Sequence, residues 1–202
     1  MHKNIWAVGR NYADHAKEMK TTPPSVPMLF LKAGSSLNHE QVITLPDWSD
    51  DIHHELELAF LIDKNLNLSH MTLALDLTAR DKQAEAKKTG APWTLSKSFT
   101  GACPIGKWVP LQNFEHLNFH LLKNEQIVQN GKASDMIFSP DILLAYIKMH
   151  FPVMENDILL TGTPAGVGPI HRGDLLIAKL SSLPHEGSPE TNPILTCHWN
   201  VK

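Results

Sequence analysis

The sequence predicts a mixed, mainly antiparallel β architecture with few helices, an α+β fold, and three observations lead there. Segments of strand length outnumber helical ones by about three to one. They do not alternate as regular βαβ units, which disfavours a parallel sheet wrapped by helices. The 202 residues, 42% hydrophobic and 19% charged, are enough to bury a core without disulfides. No internal repeat or composition boundary divides them, so residues 1–202 read as a single domain.

Taken in order, residues 5–9 are apolar and strand-like, 11–20 form a short helix, and 21–27 are a Pro-rich mobile connector. Strands are expected over 28–33, 41–45 and 53–62, the last alternating His54, Leu56, Leu58, Phe60 and Ile62 on one face. Residues 72–79 repeat the alternation with Leu73, Leu75 and Leu77. A helix over 81–88 stops at Gly90 and Pro92, and 93–99 and 108–111 read as strands. Residues 117–129 turn through Asn124 as a hairpin. Ser139 followed by Pro140 is a cap with proline in the first turn, opening a helix to about residue 150. Strands over 157–161, 174–180 and 194–201 complete the chain, the last two separated by a Pro-, Gly- and Ser-rich loop over 181–193.

Composition excludes several function classes. Eighteen Lys and Arg against 21 Asp and Glu leave a net charge of -3, without the basic patch that phosphate backbones require. Apolar runs such as 58–62 reach five residues, far from the ~20 of a membrane span. The amino terminus shows no signal or transit pattern, and the expected compartment is cytoplasmic. Cys103 and Cys197 are too few and too far apart for a disulfide framework or zinc site, and read as buried thiols.

The chemistry concentrates in a few segments. In His53-His54-Glu55-Leu56-Glu57-Leu58, side chains two apart share a strand face, so Glu55 and Glu57 lie side by side. An acidic, solvent-facing strand has the same pattern. Asp76, however, stands opposite an apolar face in a segment too hydrophobic for an exposed edge, and such a carboxylate needs a partner. If the three converge, each like-charge pair at ~6 Å costs on the order of 3 kcal/mol at an effective dielectric of about 20. A hard divalent cation removes that cost, and oxygen-only ligands select Mg2+, Mn2+ or Ca2+ over Zn2+. A zinc-protease motif is excluded, because Leu58 stands where its second histidine belongs.

His15 and Glu18, three apart on a short helix, can form an oriented general-base pair, or an ordinary surface pair. Lys97, between aromatics in an expected strand, suits an anionic substrate or developing oxyanion, or is a solvated lysine. Residues 161–169, Thr-Gly-Thr-Pro-Ala-Gly-Val-Gly-Pro, form a loop that lets backbone donors approach a ligand, but match neither a phosphate loop nor a dinucleotide fingerprint.

In this order the segments Val8-Gly9-Arg10-Asn11-Tyr12-Ala13-Asp14-His15, Phe30-Leu31-Lys32, 53–58, 75–81, 92–97 with Cys103-Pro104, and 162–168 resemble the fumarylacetoacetate hydrolase family, specifically its short acylpyruvase-like members. The resemblance implies rolled β-sheets, a homodimer, and a Mg2+ or Mn2+ site with Glu55, Glu57 and Asp76 as metal ligands. It implies His15 and Glu18 as a water-activating dyad on a lid over 11–27, Lys97 as a stabiliser of negative charge, and Arg80, Gln83 and Thr163 as pocket residues. Between Lys64 and Leu73 the chain is shorter than the family's pattern by much of a helix.

The implied activity is metal-dependent hydrolysis of a C–C bond in an acylpyruvate-type 2-oxo acid. The alternative keeps the metal and the enolate but decarboxylates, tautomerises or isomerises oxaloacetate or a related dicarboxylate. A third reading, motivated by the short segment before Asp76, is a non-catalytic binding protein on the same fold.

Overall fold

The structure is a computed structural model that describes residues 4–18, 22, 24–182 and 193–202, with the backbone alone for 15–17. Its frame is a six-stranded sheet in the order Val109–Pro110, Leu68–Leu75, Leu56–Ile62, Ile158–Leu160, Asn4–Gly9, Met28–Ala33. Asn4–Gly9 pairs in parallel with Ile158–Leu160, and the other neighbours are antiparallel. A five-stranded sheet runs Gln126–Lys132, Leu117–Lys123, Leu175–Ser182, Leu195–Val201, Val42–Ile43. The core lies between them, where Leu58, Phe60 and Leu73 of the first sheet share a cluster with Phe119, Leu121, Leu176 and Trp199 of the second. Two smaller sheets, Gly168–Pro169 with Ile52–His54 and Thr78–Ala79, and Leu37–Asn38 with Cys103–Pro104, tie loops to this frame. The mixed, strand-dominated class expected from sequence is what is observed.

Several local signals act as expected. Ser139 accepts from the Ile142 N–H and caps the helix Pro140–His150. Gly90, at φ 73°, ends the helix Arg80–Thr89 in the left-handed conformation that glycine tolerates. The hairpin closes through Asn124 and Glu125, at φ 50° and 69°, the paired left-handed residues of a type I′ turn. The Asn124 side chain secures it, donating to Asp174 Oδ1 at 2.7 Å and accepting from the Leu175 N–H at 2.9 Å. Both cysteines are buried and unbridged.

Three expectations are corrected. Residues 93–99 are not a strand: Thr94–Lys97 is a single helical turn, with Ser96 Oγ bonded to the Trp93 carbonyl. Residues 53–62 are two strands in different sheets, Ile52–His54 and Leu56–Ile62, and the chain changes sheet at Glu55. Residues 72–79 likewise break at Asp76, between Leu68–Leu75 and Thr78–Ala79. The two breaks face each other, with the Asp76 N–H donating to the Glu55 carbonyl at 2.8 Å.

The short segment before Leu73 is a tight hairpin. Asp63 accepts from the backbone of Asn65 and Asn67, at 2.8 and 2.9 Å, and Ile62 pairs with Leu68, so the following strand reaches Asp76 without the family's helix. The connector over 21–27 and the loop over 181–193 lie partly or largely outside the described residues.

Candidate active site

The breaks at Glu55 and Asp76 aim their side chains at Glu57, which sits at the start of the strand Leu56–Ile62 opposite Ala74. One carboxylate oxygen from each of the three lies within 4.8 Å of the others, and all three residues are buried. Burial of three acids this close requires positive charge, and the fold supplies it unevenly. Lys32 Nζ is 2.6 Å from Asp76 Oδ1. Lys97 Nζ lies 2.9 Å from Glu55 Oε2 and also bonds Asp76 Oδ2. Arg80 pairs with Glu55 Oε1, which Thr78 Oγ1 also approaches at 3.1 Å. Among the described residues Glu57 has no cation; its Oε2 accepts the Gly162 N–H at 2.7 Å.

The ionisation follows this arrangement. Burial, then the charges of Asp76 and Glu55, push the Glu57 carboxyl well above its ordinary value, against the opposing pull of Lys97 and the Gly162 N–H. For Lys97, burial works against the ammonium but is outweighed by Asp76 and Glu55, so it is held charged above the usual lysine value. Three converging carboxylates, one of them unneutralised, form the all-oxygen donor set that a hard divalent cation takes. The residues fit such an ion.

A cleft opens above the triad. Phe30 and Trp93 form one wall, their ring centroids 5.7 Å apart, and Lys97 Nζ sits 5.0 Å from the Phe30 ring. Arg80, Gln83 and Thr163 line it, and Arg80 donates to Gln83 Oε1 at 2.9 Å. Thr163 Oγ1 donates to the Leu56 carbonyl and accepts from Gln129 Nε2, both at 2.8 Å. Gln129 Oε1 accepts the Leu56 N–H and faces His54 Nδ1, both at 2.9 Å. With that oxygen able only to accept, His54 carries its proton on Nδ1, and burial lowers its pKa to about 4. This neutral, buried bracket fixes the strand bearing Glu57 against the loop 161–169.

The loop itself is shaped for close approach. Gly162, at φ 89°, leaves room for Asn11, whose Cβ would lie 2.8 Å from an added Cβ. Asn11 in turn donates to the carbonyls of Thr161 and Phe138, at 2.8 and 2.9 Å, and accepts the Phe138 N–H. The helix Ala13–Glu18 follows directly, and Glu18 accepts the Gly166 N–H at 3.2 Å. His15 lies on this helix, but its side chain is outside the described residues.

The family resemblance implies one site for Glu55, Glu57, Asp76, Lys97, Arg80, Gln83 and Thr163, and the structure places them together. Sequence reasoning missed Lys32, although Met28, Phe30 and Lys32 fall on one face of a strand, and a lysine among apolar neighbours was a usable signal. Arg10, which stands within the matched segment Val8–His15, and Lys87 also line the cleft, and the sequence assigns neither a role.

Residues 4–188 match the fumarylacetoacetate (FAA) hydrolase C-terminal family, and the chain belongs to that family. It is 42% identical over 186 residues to the mitochondrial oxaloacetate tautomerase FAHD1 of Bos taurus, covering 85% of this chain and 84% of that one. It is 41% identical over 196 residues to the mitochondrial oxaloacetate decarboxylase of Dictyostelium discoideum, covering 90% of each. A crystal structure from Oleispira antarctica superposes with a TM-score of 0.92 at 40% identity, covering all of this chain and 94% of that one. Fumarylpyruvate hydrolase from Pseudomonas aeruginosa, solved with Mn2+ and pyruvate, superposes at 0.86 with 25% identity, covering 99% and 89%.

Proposed function

We propose that the chain is a divalent-metal-dependent enzyme that interconverts the keto and enol forms of oxaloacetate. The observation that carries this is the buried triad Glu55, Glu57 and Asp76 with the Lys97 ammonium lodged beside it in the cleft. Relatives near 40% identity named as oxaloacetate tautomerases and decarboxylases support it over the acylpyruvate hydrolysis expected from sequence, a reading that fumarylpyruvate hydrolase from Pseudomonas aeruginosa supports at 25% identity. The three carboxylates would hold Mg2+ or Mn2+, which when bound supplies Lewis-acid polarisation of a 2-oxo acid. Lys97, held charged, stabilises negative charge on the 2-oxo oxygen as the C3 proton leaves, and Arg80 and Gln83 orient the substrate. His15, three residues before Glu18, takes the proton from C3 and delivers it to the 2-oxo oxygen to give the enol, and the reverse transfer gives the keto form, with Glu18 orienting the imidazole. Thr163 and the Gly162 N–H keep Glu57 in register.

Decarboxylation is the second reading, favoured by the Dictyostelium relative's name. It breaks the C3–C4 bond, releasing CO2 and leaving the enolate of pyruvate, without removal of a C3 proton. The non-catalytic reading loses its motive, because the shortened segment leaves Asp76 within the triad. Homodimer assembly stays part of the proposal, to be checked by sedimentation. No helix among the described residues is long and apolar enough to cross a membrane, and relatives named as mitochondrial give the cytoplasmic expectation no support.

The test is to follow loss of enol absorbance, pyruvate release from oxaloacetate, and consumption of acetylpyruvate, each with Mg2+ and with EDTA. Fast, chelator-sensitive ketonisation supports the tautomerase. Pyruvate release that keeps pace with enol loss moves the assignment to decarboxylase, and preference for acetylpyruvate moves it to hydrolase.

A further inference from the structure

The cations of the cleft fall into two groups. Lys32, Lys97 and Arg80 are each bonded to Glu55 or Asp76. Arg10 and Lys87 line the same cleft and have no carboxylate partner among the described residues. The first three cations already match the triad in number, so this pair leaves the cleft with excess positive charge even before a divalent ion enters.

Neither residue is placed by accident of a flexible surface. Arg10 is half-buried and holds φ 60°, a left-handed conformation that costs a non-glycine residue roughly 1–2 kcal/mol. The clamp made by the next side chain, Asn11, on Thr161 and Phe138 holds it there, and strain of this kind gathers at ligand sites. Lys87, on the last turn of Arg80–Thr89, is exposed at the cleft rim with Nζ 5.5 Å from the Trp93 ring centroid, so one aromatic wall supports it. The two cations are near enough to disfavour one another: burial first, then Arg80 and Arg10, lower the Lys87 pKa. Like charges held in one cleft, with no carboxylate partner among the described residues, call for an anion from the ligand.

We infer that Arg10 and Lys87 bind the carboxylate of the substrate farther from the 2-oxo group, and so set a preference for dicarboxylic over monocarboxylic 2-oxo acids. This rests on the proposed function for the identity of the substrate, and adds to it the residues that discriminate. The Phe30–Trp93 wall between the triad and the rim suits the short carbon chain joining the two ends.

The experiment is calorimetric binding of oxaloacetate and of 2-oxobutanoate, four-carbon 2-oxo acids that differ by a terminal carboxylate against a methyl. It uses Mg2+-loaded wild type, Arg10→Gln, Lys87→Gln, the charge-retaining Arg10→Lys, and Lys88→Gln as an exposed control outside the cleft. Wild type should prefer oxaloacetate, and each Gln variant should lose about tenfold in oxaloacetate affinity, as charged hydrogen bonds do, with 2-oxobutanoate unchanged. Arg10→Lys should recover part of the loss, and Lys88→Gln should lose nothing. Equal wild-type affinity for the two ligands, no loss in the Gln variants, or equal loss for both ligands would overturn the inference. Binding of 2-oxobutanoate reports that each variant is folded, and Lys87→Gln tests the idea independently should Arg10→Gln not fold. Discrimination that depends on Lys87, in a protein that does not turn oxaloacetate over, would sink the tautomerase reading while upholding this one.

Discussion

The floor of the cleft and its mouth are built on different principles. On the floor, Glu55, Glu57 and Asp76 are buried, their carboxylates are held by Lys32, Lys97, Arg80 and Gly162, and the strand that carries Glu57 is hydrogen-bonded on both sides. At the mouth, Lys87 and Glu18 are exposed, Arg10 sits on a left-handed backbone, and Glu18 reaches the loop through the Gly166 N–H. The floor has its charges placed before any ligand arrives, which is what electrostatic stabilisation of an enolate requires. The mouth holds positive charge in reserve, on Arg10 and Lys87, which have no carboxylate partner among the described residues.

The comparison breaks most severely at Asp76. Asp76→Ala leaves the fully buried Lys32 ammonium without its carboxylate, and should destabilise the protein by about 3–5 kcal/mol in chemical denaturation. Equal stability of the variant would mean that the floor is not electrostatically assembled. The next effect concerns pH. His54 is held neutral with its pKa near 4, below its ordinary 6.5, so the unfolded chain binds the proton first as pH falls. Stability should therefore decline from pH 6.5 toward pH 4, by about 3 kcal/mol if His54 acts alone. The decline should flatten in His54→Asn, compared with wild type by thermal melts across that window.

A smaller cost is expected at Gly166. At φ 94°, with an added Cβ pressed against the Val128 carbonyl, Gly166→Ala should destabilise by roughly 1–3 kcal/mol and displace the N–H that Glu18 uses. Loss of turnover with Mg2+ affinity unchanged would mark the mouth as separable from the floor, and parallel loss of both would deny it. The mildest change is Thr163→Val, which removes one buried hydroxyl bonded to Leu56 and Gln129 and should cost about 1 kcal/mol by urea titration.

Why some of this was readable in the sequence and some was not follows from the same contrast. Ser139-Pro140 and the turn at Asn124 act through their own backbones, so local rules located them. The alternation of Leu56, Leu58, Leu73 and Leu75 marked the inner strands because core burial imposes a period of two. That same alternation hid the breaks at Glu55 and Asp76. Leu77 continues the apolar pattern although its N–H has left the sheet for the Ala102 carbonyl. Lys97 was readable as a buried cation but not as helical, since one turn after Trp93 is fixed by neighbours rather than by propensity. Lys32 stood on a readable face of its strand. Arg10 did not, because its conformation comes from the Asn11 clamp on residues 127 and 150 positions away in sequence.

The central claim, that the buried triad supports metal-dependent enolisation of oxaloacetate, is tested most directly by stopped enol-to-keto conversion. The comparison is wild type and Glu57→Gln, each with Mg2+ and with EDTA. The Mg2+-loaded wild type should ketonise the enol rapidly, and EDTA should abolish this. In Glu57→Gln the rate should fall by more than the roughly 10–100-fold typical of residues behind metal ligands. Ketonisation that survives chelation, or that Glu57→Gln leaves intact, would contradict the claim.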